Sequence, residues 1–168
     1  RGAQRQGNKE PEHSTWDVPW QAGIKGTRPR KEMTMPRSVK TLIERKDLEG
    51  LRRLLAKEPG LANEGITIPQ EFLCRIKAHP LHRLCDAVFA GKMGDTEAIP
   101  FADAFLEHGA RINGDPQDGT PLMAAASLHA EALGIHYIDR GADVRSIHPS
   151  DGTTALHWAA FCGLDKLV

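Results

Sequence analysis

From Ser38 onward apolar residues recur at spacings of three and four: Val39, Leu42 and Ile43, then, after Lys46-Asp47, Leu48, Leu51, Leu54 and Leu55. That period puts them on one face of a helix, and the two runs predict a pair of short antiparallel helices. Pro59-Gly60 ends the second helix, and a polar stretch from Asn63 to about Lys77 leads to the next unit. The rhythm of three and four returns through the rest of the chain. The expected class is therefore all-α, with no extended sheet. Residues 1 to 35 differ. They are rich in Gly, Gln, Pro, Arg and Lys, and apart from Trp16, Val18 and Trp20 they offer little to bury, which predicts a disordered tail. Because the first methionines are Met33 and Met35, just ahead of the periodic region, this tail is expected to be upstream translation or a fusion scar. A peptide docking through Trp16 and Trp20 is the alternative.

The pattern also repeats at long range. Phe101, Phe105, Leu106, Gly109 and Ala110 recur as Leu133, Tyr137, Ile138, Gly141 and Ala142, each 32 positions later. Thr120-Pro121-Leu122 followed by Ala125-Ala126 recurs as Thr154-Ala155-Leu156 followed by Ala159-Ala160, now 34 positions on. Offsets of 32 and 34 average to a period of about 33, the length of a helix-pair repeat with a turn between units.

Gly119-Thr120-Pro121-Leu122 with Gly141-Ala142-Asp143-Val144, and Thr154-Ala155-Leu156-His157-Trp158-Ala159-Ala160 with Gly163, resemble the ankyrin repeat family. The resemblance covers about 78 to 168; a weaker one is to short bacterial-type ankyrin-repeat proteins. It implies a helical solenoid of stacked helix-turn-helix repeats with hairpin-like finger loops. The implied units are a capping repeat at 36–63 and repeats at 78–113 and 118–146, with a truncated repeat at 149–168.

The signature residues have physical reasons. Thr120 and Thr154 can cap the first helix of a repeat, and Pro121 suits its first turn. Leu122 and Leu156 are expected to fill the core between repeats. Ala125-Ala126 and Ala159-Ala160 let neighbouring helices approach. Gly109 and Gly141 follow the second helix, where a left-handed cap favours a residue without a Cβ. Two departures stand out. Pro80 to Gly109 spans 29 positions where Pro121 to Gly141 spans 20, which predicts an inserted surface loop of about nine residues at 91–99. His79 replaces the capping threonine and leaves that helix start in question. Leu167 aligns with Leu133 at the start of a second helix, so a fragment whose parent continues into further repeats is expected.

Composition narrows the function. The 168 residues carry 22 Lys plus Arg against 22 Asp plus Glu, so no field of one sign draws in nucleic acid or an anionic membrane. Three cysteines, Cys74, Cys85 and Cys162, stand at no paired spacing. That suits reduced thiols, and a cytoplasmic protein is expected. No signal peptide and no long apolar run is present in the sequence.

Candidate chemistry is thin. His79, His82 and Cys85 could share a helical face, but zinc wants four ligands and no second pair stands at metal spacing. Cys162 and His157 point different ways on a short helix and lack an oxyanion motif. No phosphate-binding glycine loop is found. His129, His136 and His148 are expected at the surface, and Trp158 in packing. No catalysis, metal or cofactor is expected.

The resemblance implies a concave binding surface built from the fingers and the first helix of each repeat. Its exposed helix positions are Asp86, Ala87, Ser127, Leu128, Phe161 and Cys162. Its finger positions are Asp115, Gln117, Asp118, Ser150, Asp151 and Thr153. Leu128 and Phe161 are expected to align one repeat apart as an apolar centre inside a polar rim, the anatomy of a protein interface. The expected function is protein–protein interaction by a monomeric adaptor that binds neither nucleic acid nor membrane. A regulatory domain of a larger protein, or a self-associating structural repeat, stays open.

Overall fold

Short polar side chains open most of the helices by accepting a free backbone N–H. Ser38 Oγ accepts from Thr41 N at 3.3 Å to open α1 (Val39–Glu44), and Asp47 Oδ1 accepts from Gly50 N at 2.8 Å to open α2 (Leu48–Lys57). Thr120 Oγ1 accepts from Met123 N at 3.2 Å ahead of α5 (Pro121–Ser127), and Thr154 does so from His157 N ahead of α7 (Ala155–Cys162). At α3 (Pro80–Phe89) the imidazole takes the threonine's place: His79 Nδ1 accepts from Leu81 N. The start left in question by the sequence is thus capped. These helices come from a computed structural model that describes residues 38–67, 77–115 and 118–168. The chain divides into two units, Arg1–Thr34 and Met35–Val168, and every described residue belongs to the second. The tail expected at 1–35, with Trp16 and Trp20, lies outside the described residues, as does Cys74.

Two outer helices complete the set, α4 (Asp95–Glu107) and α6 (Glu131–Asp139). Helix α6 has Ala130 at its cap position and no cap of its own. Asp95, the first residue of α4, supplies one: its carboxylate accepts from Ala132 N at 2.6 Å and Leu133 N at 2.9 Å. Contacts run along two layers. Helices α1, α3, α5 and α7 succeed one another in one layer and α2, α4 and α6 in the other, with α1 on α2, α3 on α4 and α5 on α6 between layers. The protein is mostly helical. The polar stretch after α2 holds a 3-10 turn at Pro59–Ala62 and two short antiparallel strands, β1 (Ile66–Thr67) and β2 (Lys77–Ala78), with Ile66 opposite Ala78.

The core lies between the layers: Leu42, Leu51, Leu55, Leu81, Leu84, Phe105, Leu133 and Tyr137 are fully buried. The turn that closes each inner helix contains one left-handed residue, Lys46, Gly91, His129 and Gly163, with φ of 57°, 65°, 57° and 69°. Gly109 and Gly141 are also left-handed, at 86° and 89°, where the sequence expected that cap.

Three expectations are corrected. The nine extra residues of the first full repeat are not a loop at 91–99. They are spread over an α3 three residues longer than α5, an α4 four residues longer than α6 and a connecting turn two residues longer. Helix α4 starts at Asp95 and runs through Pro100, because Ala98, Phe101, Ala102 and Phe105 bury a continuous stripe, which outweighs the one hydrogen bond that proline removes. Leu156 is not core: it is 53% exposed, whereas Leu122 at the same helix position is 2% exposed. Ala160 is likewise exposed while Ala125, Ala126 and Ala159 are buried.

Candidate protein-binding surface

Successive inner helices stand in register. Their first residues are Pro80, Pro121 and Ala155, so Asp86, Ser127 and Phe161 hold the seventh position of α3, α5 and α7. Ala87, Leu128 and Cys162 come one residue later. Leu128 and Phe161 are therefore not equivalent, and the expected apolar pair does not form. Leu128 closes α5 and is half-buried against the core, whereas Phe161 is 84% exposed. Leu128 and Phe161 stand 33 residues apart, whereas α5 and α7 start 34 apart.

Phe161 is held in place despite its exposure. Its ring meets Trp158 edge to face, with centroids 6.3 Å apart and an interplanar angle of 88°. Trp158 is half-buried against the core, and its Nε1–H donates to Thr153 Oγ1 at 3.0 Å. Thr153 in turn donates through its backbone N–H and its hydroxyl to Asp151 Oδ1, at 2.9 and 2.7 Å. Those bonds hold the Asp151 carboxyl below the usual carboxylate range. A continuous chain of contacts thus runs from the finger before α7 to the aromatic edge on it. The spacing of Trp158 and Phe161, three residues apart on a helix, could have signalled the pair.

A cleft of about 90 Å³ lies beside this edge, lined by Gly119, Met123, Ser127, His148, Asp151 and Trp158. His148 closes over Gly119, where a Cβ would come within 2.7 Å of its ring Cδ2. On α3, Asp86 pairs with Arg83, whose Nε–H also donates to Ile66 O at 3.1 Å. Among the other expected positions, Ser150 and Asp151 are exposed; Ala87, Asp115, Asp118, Ser127, Thr153 and Cys162 are half-buried. Gln117 lies outside the described residues. The structure gathers Ser127, Asp151, Thr153 and Phe161 around Trp158. Asp86 stands farther along the same layer.

The residues considered for chemistry are engaged elsewhere. His79 Nε2 faces Asn63 Oδ1 at 3.2 Å, and burial lowers its pKa from 6.5 to about 4, with His82 and Arg111 adding to the effect. His82 Nε2–H donates to Gly119 O at 2.9 Å, tying α3 to the next finger. Cys85 is fully buried, which pushes its thiol up, and it points at Leu81 O. His157 Nδ1 accepts from Thr154 N at 3.1 Å, while Cys162 Sγ faces Ser127 O. The described cysteines, Cys85 and Cys162, are free thiols. No helix among the described residues is long and apolar enough to cross a membrane. Compared with protein-family models and with curated proteins, the chain matches none.

Proposed function

We propose that this chain is an ankyrin-type repeat module whose work is to hold another protein on the face formed by α3, α5, α7 and their fingers. The observation that carries the reading is Phe161. It is the most exposed large apolar side chain among the described residues, yet its neighbour Trp158 is locked to Thr153 and Asp151. An aromatic group that is exposed and already ordered loses little freedom on binding, which is what an interface anchor needs. Ser127 and Asp151, which line the cleft beside Trp158, supply a polar rim. The two helix layers and the 32- and 34-residue periods support a stacked-repeat solenoid, and binding rather than catalysis as its role. Free thiols at Cys85 and Cys162 support a reducing, cytosol-like compartment.

The test is affinity capture followed by titration of the purified partner. Phe161→Ala should weaken binding by more than about 1 kcal/mol with helicity intact. Lys92→Ala, in the turn between α3 and α4, should leave it unchanged. Binding lost with the lysine and kept without the phenylalanine would place the partner on another face.

A further inference from the structure

The walls of the cleft beside Trp158 supply carboxylate but no lysine or arginine. Between Arg111 and Arg140, and again between Arg145 and Lys166, the chain has neither basic residue, whereas those stretches hold Asp115, Asp118, Glu131, Asp139, Asp151 and Asp165. Helices α5 and α7 lie inside them, and every residue that lines the cleft except His82 comes from them. Such walls favour a cation.

The hydrogen bonds already made there leave acceptors rather than donors. Trp158 Nε1–H is engaged by Thr153 Oγ1, His82 Nε2–H by Gly119 O, and the Ser127 hydroxyl by Ala124 O at 3.3 Å. Gly119 O and Ser127 Oγ keep lone pairs. Asp151 meets its partners through Oδ1: Thr153 donates to it twice, and His148 Nδ1 stands 3.2 Å from the same atom. Oδ2 carries none of these bonds. The Thr153 bonds also favour the ionised carboxylate.

At about 90 Å³ the cleft is far smaller than the sites of small-molecule ligands, about 300–1,000 Å³. It still exceeds several-fold what one water needs. That is room for the end of one side chain. A guanidinium suits it, as a planar cation with donors and no acceptor that forks onto carboxylates and lies well against an indole. The site belongs to one repeat. The fourth position of the inner helix is Arg83 in α3 and Ala124 in α5, so only α7 offers an indole there.

On the reading of this face as a protein-binding surface, we propose that the cleft receives an arginine side chain of the partner protein, its guanidinium donating to Asp151 Oδ2 and lying against Trp158.

The probe is a blocked glycyl-arginyl-glycine tripeptide, titrated into the 168-residue protein and followed by NMR beside counterparts with citrulline or lysine in place of arginine. The arginine peptide should shift the Trp158 indole N–H and the Gly119 amide saturably. Citrulline, of the same shape but uncharged, should bind at least about tenfold more weakly, and lysine, which lacks the fork, at least about threefold. Asp151→Asn still accepts from Thr153 and keeps the finger, yet should weaken the arginine peptide at least about fivefold. Asp165→Asn removes one negative charge outside the cleft and should change nothing. Equal binding of the arginine and citrulline peptides, or binding that survives Asp151→Asn, overturns the proposal. Lysine binding as tightly as arginine overturns the assignment to a guanidinium. An absence of saturable shifts up to the solubility of the arginine peptide also overturns it, and leaves standing the role of Phe161, which is read from the captured partner.

Discussion

The hydroxyl of Tyr137, on α6, donates to the backbone carbonyl of Leu81, on α3, at 2.9 Å. The bond ties an outer helix to an inner helix of the preceding repeat through a fully buried ring. Tyr137→Phe keeps the packing and removes only the hydrogen bond, so it should cost about 1 kcal/mol of stability. Tyr137→Ala also opens a cavity and should cost about 3–5 kcal/mol. Denaturant unfolding of the two variants separates the terms, and equal losses would show that the hydroxyl contributes nothing.

Leu122→Ala should cost about 2–5 kcal/mol, the range for truncating a buried leucine. Leu156→Ala, at the same helix position, should stay within about 0.5 kcal/mol, as surface substitutions do. Similar losses at both sites, measured by urea titration, would mean that Leu156 is covered in solution.

The stability of the fold should fall in mild acid through His79. Its folded pKa is about 4 against an ordinary value of 6.5, so between those limits the unfolded chain takes up a proton that the folded chain refuses. The contribution is fully present above about pH 6.5, is lost as pH falls towards 4 and levels off below. A shift of that size corresponds to on the order of 3 kcal/mol. His79→Asn can still cap α3 and should flatten this part of the pH profile. An unchanged slope in the variant would assign the acid sensitivity to another group.

His129 sits at φ 57°, a conformation that costs most side chains about 1–2 kcal/mol and glycine nothing. His129→Gly should therefore stabilise the protein by about 0.5–1 kcal/mol, after the extra freedom that glycine gives the unfolded chain. A lower melting temperature would show that the imidazole makes contacts that outweigh the strain.

The sequence alone determined the helical class, the 32- and 34-residue spacings and most helix starts. Those features are local: a hydroxyl three residues before an N–H, an apolar residue every third or fourth position, a glycine where the backbone turns left-handed. It also singled out Phe161 as exposed and Leu122 as buried. Tertiary structure decided what depends on neighbours distant in the chain. Leu122 and Leu156 stand in matching local patterns, and only the helices around each one separate buried from exposed. The cap on α6 comes from Asp95, 37 residues before the N–H it meets, so no local pattern could announce it. The nine extra positions between Pro80 and Gly109 are visible in the sequence as a length alone, and length does not say whether a loop or the helices on either side take it up. The buried stripe from Ala98 to Phe105 carried α4 through the proline, since apolar burial outweighs one missing backbone hydrogen bond.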